Sequence, residues 1–395
     1  MRHEDFIERL TLEYPNTAKA NDLERFIVPT LIAPRVIDFP RAWLTSAEKL
    51  AALFYNSVRE SQFSESVIAS EAPAFAKPKT SSVLMSYDYH VDFSKDPAGQ
   101  LKLIEINTNA SMSLLLDVLN CQLGNERCLK DDFMDDFEWA LGGPEKGSLQ
   151  GKHVVIVDEK PESQKLFIEF LMYKELFESR GAACRIVDRT DLVFEGGALC
   201  LKNDPAFGEI DLVYNRLTDF YFEQPESLAL RQATQTGKAV ITPHPYDFRT
   251  LADKSRMVEW SRPEGFERYG IRKEDADTLR ACLIRTREVS EWEPEELWKE
   301  RKQLIFKPKS SHAGKGVYRG SSISRGAFQG VLNSGGLAQD FVPAPTIKLG
   351  DAEFKYDLRF FAFRDRIHVA CARLYQGQMT NATTPGGGVA AIRWR

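Results

Sequence analysis

The stretch from His153 to Arg216 constrains the fold most. HVVIVDE is an apolar run with the length of a buried strand, and SQKLFIEFLMYKELFESRG reads as a helix that ends at Gly181. CRIVD and IDLVYNR follow as further strands. That strand–helix–strand order argues for a right-handed parallel crossover in a small Rossmann-like unit. No GxGxxG follows the first strand, so the unit is not read as a dinucleotide site.

The rest of the chain surrounds this unit. Before it, Thr45-Ser46-Ala47-Glu48 reads as a capping box ahead of the helical run Leu50, Leu53, Phe54, Val58. VLMSYDYHVDF and QLKLIEIN read as a hairpin turning through Asp96-Pro97-Ala98-Gly99, followed by an apolar helix near 114–123. The Gly-rich stretch 142–151 is a boundary candidate. From about Ala239 strands and helices alternate again: AVITP, a helix after Ala252, LIFKPK, GLAQDFV and the hairpin YDLRFFAFRDRIHVACARL.

At 395 residues the chain has room for two to three domains. A net charge of −5, from 52 basic and 57 acidic residues, provides no basic field, so no nucleic-acid partner is expected. No apolar run approaches the ~20 residues that span a bilayer, and MRHEDFIERL is too charged for a signal peptide. Cys121, Cys128, Cys184, Cys200, Cys282 and Cys371 lack CxxC spacing and read as reduced thiols rather than a disulfide frame or zinc site. A cytoplasmic protein without a membrane partner is expected, as monomer or homodimer.

Three constellations bear on chemistry. On a strand Glu105 and Asn107 share a face, and the hairpin sets Asp92 on the neighbouring strand. Two carboxylates and an amide carbonyl are hard ligands, suited to Mg²⁺ held together with substrate phosphates; an ordinary polar hairpin face is the alternative. Arg301–Gly320 carries six basic residues and no acidic one, with FKPKSSHAGKGV inside it. Its loop, Ser310 to Gly316, can turn backbone N–H groups toward phosphates, although it is not a Walker A motif; a solvated basic turn is the alternative. Arg359 and Arg373 lie 14 positions apart across a turn near Arg364–Arg366, so both can face one cleft, or pair with Asp357 and Asp365. DDxxD at 131–136 reads as a solvated helix start, and His244 and His312 have no metal-ligand spacing.

Together these segments resemble the ATP-grasp superfamily and its carboxylate–amine ligases. VDF followed by LIEINTNASMS resembles the metal strand pair of the D-alanine–D-alanine ligase family, with Asp92 standing 13 residues before Glu105. The resemblance implies that Asp92, Glu105 and Asn107 hold Mg²⁺. LADKSRM and LIFKPKSSHAGKGV resemble the two ATP lysines and the glycine-rich lid, which implicates Lys254, Lys307, Ser310, Gly314, Lys315 and Gly316. AQDFV resembles the adenine-reading hinge around Asp340 to Val342, and DLRFFAF…ARLYQGQMTN the hairpin whose Arg and Asn meet the reacting phosphoryl group, here Arg359, Arg373 and Asn381.

The order, with E-x-N about 200 residues before the lid, resembles eukaryotic-type glutathione synthetases. So do Val213-Tyr214-Asn215-Arg216 and Gly387-Gly388-Val389-Ala390-Ala391. The fold this implies is α/β (α+β): a circularly permuted ATP-grasp with an inserted Rossmann-like substrate domain. Residues 1–150 would hold N-terminal helices and the metal-bearing part, 151–240 the substrate-binding domain, and 241–395 the nucleotide-binding part with the lid. Two positions depart from the pattern: Ser311 stands where the synthetase has a metal-binding Glu, and His90 where the dipeptide ligase has an Arg.

The implied activity is ATP-dependent formation of an amide or peptide bond through an acyl phosphate. Arg359 or Arg373 would stabilise the acyl phosphate, with Ser111 or Ser113, while Arg216, His90, Gly387 and Gly388 would contact substrate. The implied substrates are a small carboxylate and an amine: an amino acid, peptide or polyamine. A small-molecule kinase and a non-catalytic ATP-binding protein are the alternatives.

Overall fold

In a computed structural model of the chain, residues 3–20, 23–27, 30–71, 75, 77–123, 129–142, 145, 147–309 and 316–395 are described. Three sheets form its frame. The largest runs in the order β1 (Ile32–Phe39), β17 (Gly388–Trp394), β16 (Arg366–Tyr375), β15 (Ala352–Phe363), β2 (Met85–Asp92) and β3 (Gln100–Asn107), with β14 (Thr346–Leu349) also paired to β15. Its pairings are antiparallel except for β1 with β17. A second, parallel sheet has the order β5 (Ala183–Asp188), β4 (His153–Asp158), β8 (Leu212–Asn215), β9 (Val240–Thr242). The hairpin of β6 (Leu192–Glu195) and β7 (Ala198–Leu201) lies between its strands in sequence. A third, antiparallel sheet orders β10 (Thr286–Glu288), β13 (Leu337–Asp340), β11 (Leu304–Lys307) and β12 (Tyr318–Arg319).

The apolar run of β4 exists because both of its faces are covered. Val154 and Ile156 belong to one core and Val155 and Val157 to another, the burial typical of parallel strands. The crossover helix Phe167–Ser179 joins β4 to its parallel neighbour β5. In the large sheet, period two separates two environments. Tyr356, Leu358 and Phe360 of β15 pack with Tyr87 and Tyr89 of β2 beneath Trp43, Ala47 and Leu50 of the helix Arg41–Leu53. Phe361 and Phe363 enter the other core, shared with the helix Ser113–Gln122, and Asp357 and Arg359 stand before them on that same face. The small sheet has a core of its own, from Phe306, Ala338, Leu297, Phe328 and Val331.

One irregularity decides which side chains leave the core. The ladder pairs Asp92 with Gln100 and Tyr89 with Leu103, then shifts so that Asp88 faces Glu105 and Ser86 faces Asn107. Ile104 is the extra residue of this bulge. Leu101 and Leu103 can therefore enter the core with Ile106 while Glu105 and Asn107 turn the other way.

Several local expectations are corrected. Thr45–Glu48 caps nothing: the helix begins at Arg41, and the Ser46 hydroxyl donates to the Ala42 carbonyl within it. The turn at 96–99 is present, with Gly99 at φ +79° and its N–H donating to Asp96 O. Cys184, Cys200, Cys282 and Cys371 are free, but Cys121 is in a disulfide, contrary to six reduced thiols; Cys128 lies outside the described residues. Asp131 and Asp132 do open the helix Lys130–Gly142, yet Asp136 is buried against His368 at 2.7 Å. Among the described residues no helix is long and apolar enough to cross a membrane.

Asp247, with no exposed surface, ties the layers together. It accepts from Arg59 Nε at 2.7 Å and from the Ser82 backbone and hydroxyl at 2.7 Å each, while the Val83 N–H reaches Thr242 Oγ1 at the end of the parallel sheet. Asp247→Ala leaves the buried Arg59 guanidinium without this partner. Urea unfolding is expected to register a loss of about 3–5 kcal/mol.

Candidate functional site

A cleft of about 1430 Å³ lies where the three sheets meet. The large sheet contributes Glu105, Asn107, Arg359 and Arg373; the parallel sheet ends in Asp158 and Arg216; the small sheet contributes Lys307, Arg319 and the segment Gln339–Val342. Lys254, first residue of the helix Lys254–Trp260, lines it as well. The cleft therefore mixes charges of both signs drawn from strand ends.

Asp92 does not belong to it. It pairs with Gln100 beside the hairpin turn and accepts from the Ser94 N–H at 2.9 Å. Four residues separate it from Asp88, the residue facing Glu105, which is about 13 Å along a strand. A 13-residue spacing that straddles a seven-residue turn and a bulge cannot place the two carboxylates opposite each other. Asp88 occupies that position.

Asp88 is fully buried and saturated. Arg359 donates to both of its oxygens, Nε at 2.8 Å and Nη2 at 2.7 Å, and Arg373 Nη2 lies 2.9 Å away. Burial pushes a carboxyl upward; here the Arg359 and Arg373 charges overcome it and hold Asp88 below the usual range. Asp357 completes the group, accepting from Arg373 Nε and, at 2.6 Å, from the Thr380 hydroxyl.

The residues suit Mg²⁺ in part. A carboxylate can only accept, so the 3.3 Å contact between Asn107 and Asp88 orients the Asn107 NH₂ toward Asp88 and frees its carbonyl oxygen. Glu105, two positions earlier on the same face, lines the cleft with a carboxylate that has no hydrogen-bond partner among the described residues. One carboxylate and one amide oxygen match the few protein ligands Mg²⁺ takes when substrate phosphates complete its shell. Among the described residues no group of three or more His, Cys, Asp or Glu forms a metal cage.

Lys307 projects from the end of β11 and donates to Ile104 O at 3.3 Å, across from small sheet to large. Burial, helped by the Lys254 charge and opposed by Glu105 and Asp88, lowers its pKa to about 8. At the cleft edge His90 Nδ1 sits 3.1 Å from Val342 O; since a carbonyl only accepts, Nδ1 carries the proton. Burial lowers the His90 pKa. Asp340 and Phe341 give their N–H groups to Arg285 O and Gln303 O, whereas the Val342 N–H has no partner among the described residues. An adenine-reading backbone at 340–342 thus reduces to Val342.

Arg216 follows β8 and reaches Ser111 Oγ at 2.7 Å and Ala110 O at 3.1 Å. Ser113 is a correction: it is fully buried, holding Glu169 and Tyr173 at the start of its helix, and does not reach the cleft. Asn381 lines the cleft, but both ends of its amide are spent inside its own turn, on Gln376 O, Met379 O and the Thr383 and Thr384 groups. Gly387 lies away from the cleft lining, and Gly388, at φ +103°, touches it. A Cβ would meet Leu374 O at 2.5 Å on the first and Leu31 O at 2.6 Å on the second, so close backbone approach explains both. Gly316 lies outside the lining too, and Ser310, Gly314 and Lys315 fall outside the described residues. Of the basic segment, Lys307 and Arg319 face the cleft, whereas Lys309 pairs with Glu288 and Arg301 stacks on Trp298.

Sequence reasoning passed over Asp88, and at the far end Asp158, whose carboxyl burial pushes up to about 6. The signal for Asp88 was present: an acid between Tyr87 and Tyr89 on a strand must face away from them, toward compensating cations.

A folded-state pKa near 8 means that charged Lys307 is disfavoured relative to an unfolded lysine near 10.4. That penalty is complete below pH 8 and fades as pH rises from 8 toward 10.4. Lys307→Met should therefore gain about 1–3 kcal/mol in urea unfolding at pH 7 and much less at pH 10.

No family model matches the chain, and no curated protein matches it. Among solved structures it is similar to a glutathione synthetase-like effector, GSS30, from Globodera pallida in its apo form, at 12% identity and a TM-score of 0.59, covering 100% of this chain and 98% of that one. A structure provisionally named gamma-glutamylcysteine synthetase, from Methylobacillus flagellatus KT, reaches a TM-score of only 0.43 at 12% identity over 88% of this chain and 87% of that one. From end to end, the chain shares the fold of the glutathione synthetase-like effector.

Proposed function

We propose that the chain is an ATP-dependent carboxylate–amine ligase built on a circularly permuted ATP-grasp, with the parallel-sheet unit as its substrate domain. The observation that carries this reading is the convergence, in one cleft between two antiparallel sheets, of Glu105 and Asn107, Lys254 and Lys307, and Arg359 and Arg373. Lys254 and Lys307 would hold the nucleotide phosphates, and the Val342 N–H, with no partner among the described residues, is the backbone donor on offer to adenine. Mg²⁺ would be held by Glu105 and Asn107, and bound there it neutralises phosphate charge. Arg359 and Arg373 would meet the oxyanion of an activated carboxylate, with Ser111 close to Arg216 at the substrate end.

Calorimetric titration with MgATP tests the nucleotide half. Wild-type protein should bind, and Lys307→Met should bind at least about tenfold more weakly, the loss of one charged hydrogen-bond donor. No binding by the wild type at millimolar MgATP refutes the reading. For the chemistry, ADP release is screened against pools of amino acids, peptides and polyamines with hydroxylamine present. A ligase yields a hydroxamate and free phosphate; a stable phosphorylated product would identify a kinase instead.

A further inference from the structure

We propose that Asp88 is a positioning residue that fixes Arg359 and Arg373 as a two-guanidinium ledge for a phosphoryl oxyanion on the cleft floor. The inference deepens the ligase reading and rests on it for the ledge's place in catalysis. The binding ledge itself rests on geometry alone.

Asp88 has no exposed surface and so touches no ligand. Its neighbours do. Arg359 and Arg373, 15% and 21% exposed, both line the cleft. The two side chains spend the same atoms on acids. Arg359 gives Nε and Nη2 to Asp88, and Arg373 gives Nε to Asp357 while its Nη2 pairs with Asp88 at 2.9 Å. Among the described residues, the Nη1 group of each has no protein partner. Two like charges this close repel, and on long side chains they would separate. A shared carboxylate between them offsets that repulsion, holding Arg359 by two bonds and Arg373 by an ion pair. The same carboxylate turns Asn107 so that its carbonyl oxygen is free. Asp357, held by Thr380, fixes Arg373 from the other side. The arrangement resembles a built oxyanion site, whose donors are ordered before the anion arrives.

The sign of one substitution separates positioning from charge. Asp88→Asn removes a negative charge beside the ledge, so charge alone predicts tighter anion binding. Loss of the lock predicts weaker binding. The probe is inorganic phosphate, titrated calorimetrically at low ionic strength into full-length wild type, Asp88→Asn, Arg359→Gln and Arg359→Lys. Wild type should bind, and Arg359→Gln should lose about tenfold or more in affinity. Asp88→Asn should lose a similar factor despite its extra positive charge. Should Asp88→Asn fail to fold, Arg359→Lys keeps the charge without the bidentate fork and should show the same loss. Phosphate binding as tight as wild type, or tighter, in Asp88→Asn or in Arg359→Lys overturns the proposal, and so does a wild type that ignores phosphate. A wild type that binds MgATP while these variants bind phosphate unchanged sinks the ledge and leaves the ligase reading standing. The reverse pattern sinks the ligase reading alone.

Discussion

A carboxylate buried in the middle of a sheet dictates the arrangement around it. Asp88 stands between two core tyrosines on β2, cut off from water, and a lone ion there would be too unfavourable to survive in the charged form. Its neutralisation requires cations from strands that come together only in the finished fold. Arg359 lies directly opposite on β15, and Arg373 one strand farther on β16. The pairing of the N-terminal hairpin with the C-terminal hairpin is thus specified by charge as well as by the aromatic face beneath. Segments roughly 270 residues apart in sequence meet at one carboxylate.

The cleft above this network has a division of labour that follows from its walls. The floor is one face of a long antiparallel sheet, where side-chain positions are set by register. The parallel sheet meets the cleft with the carboxyl ends of β4 and β8, the usual ligand edge of such sheets. The small sheet approaches from a core of its own and touches the floor where Lys307 reaches Ile104 O and His90 reaches Val342 O.

Much of the frame was legible in the sequence. The parallel unit was visible because a buried parallel strand must be apolar at every position, and HVVIVD is. The two hairpins were visible from alternation, and Lys254, Lys307, Arg216, Glu105, Asn107, Arg359 and Arg373 all line the cleft. What escaped was counting across a turn. Asp92 and Glu105 looked adjacent because spacing along the chain was read as proximity, and neither the length of the 93–99 loop nor the bulge at Ile104 announces itself in composition. Ser113 was misread for a related reason: its neighbour Ser111 reaches the cleft, and a helix starting between them turns Ser113 into the core. The glycines 387 and 388 carried a resemblance, yet their job here is to let strands approach.

The bulge at Ile104 has a wider meaning for how such a site is inherited. Because the bulge absorbs one surplus backbone residue, Leu103 and Ile106 both enter the core although three positions separate them, and Glu105 and Asn107 face the cleft. Deleting Ile104 would leave plain alternation, Leu103 in, Glu105 out, Ile106 in and Asn107 out, whereas pairing the same residues without a bulge would turn Glu105 and Asn107 into the aromatic layer and Ile106 toward the cleft. A deletion that removes both the residue and its bulge leaves the polar face in place, whereas an insertion taken up without a further bulge reverses it. The polar face therefore depends on how the ladder is spaced, and two chains of this fold can share every polar letter of the motif yet present opposite faces.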